Sequence, residues 1–377
     1  MTSETGSERQ PVDASPPPSP PPWDRPQFRF WVGTISVVSI LAVFLSVFAI
    51  AISHPADKGT TVAAPASETA APTPAGQKID FNADAPGGFA ARDPKAPEPL
   101  PGTVHKLTLD VIEKELEIAP GVKQMMWTFG GTVPGPVLRG KVGDTFEITL
   151  VNKGTLGHSI DFHASKVAWN VSMKTIEPGE SLVYTFVAKH AGIFMYHCGT
   201  PPVIHHIGNG MYGALIVDPP DLAPVDHEFV MLQSELYTAP KGEVADLPKM
   251  LNEQWDAVVF NGYVNQYKYA PIRVEPNQRV RIWVLDDGPS ENSSFHVIGT
   301  IFDTVFKEGA YLLRRTSVGP GGSQALDLQP AQGGFVEFSF DEAGLYPFVT
   351  HKFASASKGA LGVFQAGDVA GASAAGH

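Results

Sequence analysis

The sequence of 377 residues has a single cysteine, Cys198, so no disulfide can form within one chain. It is also poor in positive charge, since 27 Lys and Arg stand against 39 Asp and Glu, for a formal net charge of −12. Nucleic acids are bound by basic surfaces, so this balance argues against them as partners. Long helical patterns are missing as well, whereas 37 Gly and 34 Pro favour short strands and turns.

One apolar run, residues 30–52, carries no charge at all. Its length suits a membrane-spanning helix, which needs ~20 residues, better than a cleaved signal, whose apolar region has about 7–15. We therefore predict a single uncleaved transmembrane anchor at 30–52, after a disordered proline-rich segment at 1–29. Arg25 and Arg29 precede the run and only Lys58 follows soon after, so the N-terminus is expected in the cytoplasm and the remainder outside it.

The rest of the chain has the pattern of short strands. Residues 53–102 are rich in Ala and Pro and predict a tether. Segments such as 104–111 and 145–151 alternate with period two, and prolines at 219–224 mark a boundary. We predict an all-β chain of two β-sandwich domains, at 103–220 and 221–367, with a flexible tail at 368–377.

The two halves resemble diverged copies of each other, but only the first contains a cysteine. Successive residues of a strand face opposite sides, so His197 and Cys198 should diverge, as should His158 and His163, which are five positions apart. This sorts one ligand set: His158, Cys198, His206 and Met211. Two imidazoles, a thiolate and a weak thioether are the ligands of a blue-copper electron-transfer site.

The other face of the same strands predicts a second metal site. His163 and His197 should point there together with Asp161. A third histidine would complete a site that keeps one position open for a reacting ligand. His351 is the candidate, although it lies far away in sequence. Of the two adjacent histidines, we choose His206 as the ligand, because the turn at 208–210 then separates it from Met211. His205 is expected to lie beside the first site without binding the metal.

The chain from about 104 to 365 resembles a copper-containing nitrite reductase of the two-domain cupredoxin family, on motifs that are retained here. They are Val133-Pro134-Gly135-Pro136, Gly157-His158-Ser159-Ile160-Asp161-Phe162-His163, Tyr196-His197-Cys198, His206 with Met211, and His351. The resemblance implies two Greek-key cupredoxin domains, a homotrimer and two copper ions per chain. The implied type 1 ligands are His158, Cys198, His206 and Met211, and the implied type 2 ligands are His163, His197 and His351.

The resemblance also implies roles. His351 would complete the catalytic site of a neighbouring subunit, and Asp161 would act as the acid–base residue. Electrons would come from a small donor protein, a cupredoxin or a cytochrome, and nitrite would be reduced to nitric oxide.

One departure from the family pattern concerns residue 301. The family carries a catalytic histidine five positions after the residue matching His296, and this chain has Ile301 there. Because five is an odd number, we expect His296 to face the other way and proton delivery to be slow. Ile301 thus favours a non-catalytic electron-transfer protein as one alternative. A laccase-like oxidase is another, but its paired His-x-His motifs do not occur in the sequence.

Overall fold

The computed structural model describes residues 76–316, 319 and 321–369. The predicted segment 1–29, the predicted anchor 30–52, the first part of the tether and residues 370–377 of the tail lie outside this range. Within it, no helix is both long and apolar enough to cross a membrane. Strands dominate, which confirms the prediction of an all-β chain.

The first sandwich consists of eight strands in two four-stranded sheets, ordered β2-β1-β4-β6 and β3-β8-β7-β5. Its strands are β1 Val104–Ala119, β2 Val122–Phe129, β3 Leu138–Lys141, β4 Thr145–Asn152, β5 Asp161–Phe162, β6 Ser181–Val187, β7 Gly192–His197 and β8 Tyr212–Asp218. Two short helices belong to it, α1 Trp169–Ser172 and α2 Val203–Gly208.

The second sandwich has a six-stranded sheet, β10-β9-β12-β17-β14-β15, and a five-stranded sheet, β11-β19-β18-β13-β16. Its strands are β9 His227–Leu236, β10 Ala257–Phe260, β11 Ile272–Val274, β12 Arg279–Gly288, β13 Ser293–Val297, β14 Thr304–Lys307, β15 Ala310–Leu313, β16 Leu326–Leu328, β17 Gly333–Ser339, β18 Gly344–Thr350 and β19 Leu361–Ala366. Its helices are α3 Leu247–Leu251, α4 Gln266–Tyr269 and α5 Phe353–Ala356.

The sandwiches pack on each other through strands that are buried on both faces. In β8, Leu215 and Val217 point into the core of the first sandwich, while Ala214 and Ile216 join a core shared with the second. Trp283 of β12 lies in the same shared core. A strand covered on both sides has no polar face, which explains why β8 reads as a continuous apolar run.

Residues 76–102, the last part of the predicted tether, lie against both sandwiches. Arg92 donates hydrogen bonds to the carbonyl oxygens of Pro134 (2.5 Å) and Gly135 (2.9 Å) in the first sandwich. The backbone NH of Ala96 donates to Glu228 of β9 at 2.9 Å. This segment is therefore hydrogen-bonded to both sandwiches and stabilises the contact between them.

A buried ion pair crosses the same contact. Arg139 of β3 donates to Asp218 at 2.9 Å and to Glu228 of β9 at 2.8 and 3.1 Å. The Arg139 side chain is only 5% exposed. A charge buried this deeply is stable only with its partners in place.

We expect Arg139→Met to lower the free energy of unfolding by about 3 kcal/mol, because it removes the cation paired with the buried carboxylate of Asp218 and leaves Glu228 with Arg281 alone. Chemical denaturation of wild type and variant measures the difference. The control is Lys106→Met, since Lys106 pairs with Glu147 at 3.1 Å but is 71% exposed, and it should cost less than about 1 kcal/mol. Equal losses in the two variants would contradict the prediction.

Candidate metal centres

A buried group of three ligand atoms lies inside the first sandwich. His158 Nδ1 is 3.2 Å from His206 Nδ1, and Cys198 Sγ is 3.3 Å from the same nitrogen. All three side chains are buried, with His158 and Cys198 at 0% exposure. Two imidazole nitrogens and a sulfur that converge on one point are the donor set that copper prefers.

Backbone hydrogen bonds bring these residues together from distant parts of the chain. Cys198 follows β7, and its NH donates to the carbonyl of Met211 at 3.1 Å, while the Met211 NH donates to the carbonyl of His206 at 3.1 Å. Met211 is fully buried beside Cys198 in the same core cluster. The NH of Ser159, next to His158, donates to Cys198 Sγ at 3.3 Å.

The protonation states fit a metal site. Burial, together with the neighbouring His158 and His205, lowers the pKa of His206 to about 4. Burial lowers the pKa of His158 as well. Both imidazoles are therefore neutral near pH 7, as metal ligands must be. Burial raises the pKa of the Cys198 thiol, so this thiol would release its proton when a metal binds.

Side chains outside the ligand group hold it in place. The Trp127 ring lies 4.8 Å from the His206 ring and 4.9 Å from the His205 ring, between centroids. His205 bonds to the carbonyl of Ala245 at 2.8 Å through Nε2 and is turned away from Cys198. Glu113 Oε1 lies 3.2 Å from His158 Nε2.

A second group lies on the other side of β7. His163 Nε2 is 3.0 Å from His197 Nε2, and Asp161 Oδ2 is 3.9 Å from His197 Nε2. His197 Nδ1 bonds to the carbonyl oxygen of Cys198 at 2.9 Å, so Nδ1 carries the proton and Nε2 is free to bind a metal. In the described residues, this group and the buried one are the two sets of three or more His, Cys, Asp or Glu residues that could hold an ion.

His351 does not join the second group within one chain. It follows β18 of the second sandwich, is exposed, and its ring centroid is 5.6 Å from that of His296. The structure thus brings Asp161, His163 and His197 together and leaves His351 apart, beside His296. Binding of copper by either group stays a prediction.

The expectation that His296 faces away from residue 301 is wrong. Both residues line the same cavity of about 1220 Å³. The alternation rule does not apply between them, because β13 ends at Val297 and the chain turns at Gly299, where φ is +87°. Ile301 itself is 69% exposed. The histidine that accompanies His351 is therefore His296.

Sequence reasoning missed Glu113, Trp127 and the role of His296. Glu113 and Trp127 are cross-strand partners in the β1–β2 pair, and no motif marks such a pairing. Sequence reasoning also assigned no structural role to the motif Val133-Pro134-Gly135-Pro136. A Cβ on Gly135 would lie 2.5 Å from the hydroxyl of Tyr196, which bonds to the carbonyl of Pro136 at 2.6 Å. The motif thus supports the residue that precedes His197.

Comparisons with known proteins agree with this geometry. A family model described as multicopper oxidase matches residues 110–222. The copper-containing nitrite reductase of Neisseria meningitidis serogroup A (strain DSM 15465 / Z2491) is 36% identical over 271 residues, which are 68% of this chain and 68% of that protein.

Solved structures give the same result. The copper nitrite reductase from Nitrosomonas europaea has 35% sequence identity and a TM-score of 0.64, over 70% of this chain and 94% of that one. A structure titled multicopper oxidase has 27% identity and a TM-score of 0.60, over 73% and 93% of the two chains. The resemblance inferred from the sequence is thereby confirmed, and this chain belongs to the copper-containing nitrite reductases.

Proposed function

We propose that this protein is a copper-dependent oxidoreductase that reduces nitrite to nitric oxide, with the balance NO₂⁻ + e⁻ + 2H⁺ → NO + H₂O. The observation that carries the proposal is the pair of ligand groups joined by the peptide bond between His197 and Cys198. His197 belongs to one group and Cys198 to the other. The two groups are therefore linked covalently through a single peptide bond.

The donor atoms suit two different copper sites. His158, Cys198, His206 and Met211 would hold a type 1 copper, and His163, His197 and His351 of the partner subunit a type 2 copper. Bound copper would supply a one-electron redox centre at the first group and an open position for nitrite at the second. The backbone between Cys198 and His197 then offers the electron its path from one group to the other.

We propose that the protein is a homotrimer, and the position of His351 supports a site shared between subunits. Within one chain the second group has two imidazoles and a carboxylate, one imidazole short of the three-histidine set that the family resemblance implies. His351 is exposed on the second sandwich and is free to reach a neighbouring copy. We therefore propose that each catalytic site is shared between two subunits.

Reduction of nitrite consumes two protons, and we propose that two side chains deliver them. Asp161 lies at the edge of the second group, 3.9 Å from His197 Nε2 and 25% exposed. His296 lies beside His351 and would enter the shared site with it. The Nδ1–H of His296 donates to the carbonyl oxygen of Gln324, which orients the ring.

This placement removes the main reason for the non-catalytic alternative, which depended on Ile301 as a missing proton relay. The laccase-like alternative still lacks the His-x-His motifs of a trinuclear cluster. We further propose that the anchor at 30–52 holds the protein to the membrane, with the copper domains outside the cytoplasm, where a small donor protein supplies the electrons. The uncharged length of the run supports this.

Cys198→Ser should abolish the intense visible absorption of a copper–thiolate bond, because the only thiolate of the chain is removed. Copper at the histidine site should remain, so the metal content should fall to about half of the two ions proposed per chain. Visible spectra and metal analysis measure both quantities. His205→Gln is the control and should keep the absorption, since His205 bonds to Ala245. An unchanged spectrum in Cys198→Ser would refute the ligand set.

His296→Gln should lower the rate of nitric oxide production by about 10²–10⁴-fold, the range typical of a lost general acid–base group. Copper content should not change, because His296 is not a ligand. Ile301→His is the matched comparison from the same cavity, and it should have little effect because residue 301 is exposed. A rapid His296→Gln variant together with faster turnover in Ile301→His would restore the original expectation for residue 301.

Deleting residues 1–53 should release a protein that needs no detergent, because the apolar run lies outside both sandwiches. The full chain should be found in the membrane fraction. We expect the truncated protein to keep both coppers and to sediment as three chains. A truncated protein that remains with the membrane would contradict the anchor, and a monomer with full activity would contradict the shared site.

A further inference from the structure

Glu113 makes a contact that none of the assigned roles explains. It lies on β1, opposite Trp127 of β2, and both side chains face the buried ligand group. Glu113 Oε1 is 3.2 Å from His158 Nε2, while the other nitrogen of the same ring, Nδ1, faces His206. A carboxylate therefore sits directly behind a candidate copper ligand.

The carboxylate of Glu113 is held in a fixed position. It accepts hydrogen bonds from the Thr155 NH at 2.8 Å, from the Thr155 hydroxyl at 2.6 Å and from the Leu156 NH at 3.1 Å. Gly154 leaves room for it, since a Cβ at that position would lie 2.5 Å from Glu113 Oε1. The turn at 154–156 thus forms a cradle for one anion, and the Glu113 side chain is only 13% exposed.

We infer that Glu113 is a positioning residue that orients His158 and lowers the reduction potential of the copper held by the buried group. It accepts the Nε2–H of His158, which fixes the tautomer with the Nδ1 lone pair directed toward Cys198 and His206. The His158 ring between this carboxylate and the ligand group is completely buried. Water therefore screens the negative charge of Glu113 poorly, and the charge acts on the copper. Such a charge stabilises the ion of higher charge, Cu(II), relative to Cu(I).

The functional consequence concerns the direction of electron flow. A lower potential at the first site makes the electron leave more readily toward the second site, and it makes reduction by the donor protein harder. The inference rests on the proposed function only in that the buried group binds copper. It does not depend on nitrite as the substrate.

The test compares full-length wild type with Glu113→Gln, which removes the charge and keeps an acceptor oxygen. The copper–thiolate absorption should persist, and Cu(II) affinity, measured by competition with a chelator, should fall about 10–100-fold, the usual cost of losing an outer partner. If Cu(I) affinity is unchanged, each tenfold loss raises the potential by about 59 mV for one electron. A redox titration followed at the visible band measures this rise.

Three further variants make the test specific. Glu115→Gln, exposed two residues along the same strand, removes an equal charge and should leave the potential unchanged. Thr155→Val and Gly154→Ala keep Glu113 but loosen or displace its carboxylate, so each should raise the potential by a smaller amount. If Glu113→Gln fails to fold, these two variants still test whether Glu113 lowers the reduction potential.

The possible results are distinct. A wild type without the copper–thiolate band would overturn the proposed copper site itself. A wild type with the band, and variants at residues 113, 154 and 155 whose potentials equal that of wild type, would overturn the role of Glu113 alone. A potential that falls in Glu113→Gln would do the same. A rise in all three, absent in Glu115→Gln, would establish it.

Discussion

The structure depends on one constraint: His197 and Cys198 are neighbours at the end of a strand, and neighbouring side chains of a strand face opposite sides. Cys198 consequently points into the first sandwich, where it is fully buried, while His197 points outward to His163. One group is closed, and the other is partly open to solvent. A single pair of residues therefore sets both the difference between the sites and the distance between them.

The two sandwiches support this arrangement in different ways. The first supplies every side chain of the buried group, and the second carries His351 and His296 side by side on its five-stranded sheet. Strands buried on both faces, such as β8, connect the core of the first sandwich to a core that both sandwiches share. Buried cores are close-packed and yield little, so the positions of histidines on either sandwich are fixed relative to the interface.

Much of the candidate site could be predicted from the sequence, because the relevant information is local. The spacing of His158, His163, His197 and Cys198 is enough to divide them between two faces. Glu113 and Trp127 could not be predicted, since their contact with the ligands depends on the register of β1 against β2. His296 was misjudged because alternation was extended beyond Val297, where β13 ends.

The outer nitrogens of the histidines reveal how the two sites differ in electrostatics. At the more open group, the Nδ1–H of His197 donates a hydrogen bond to a backbone carbonyl, a neutral acceptor. His158, which is completely buried, has a carboxylate behind it instead. A charge acts strongly where water is excluded and weakly where solvent screens it. The carboxylate of Glu113 therefore lies behind a buried ring, whereas the partner of His197 Nδ1 is a neutral carbonyl at a more open group. A carbonyl and a carboxylate can both orient an imidazole, but only the carboxylate also places a negative charge behind it.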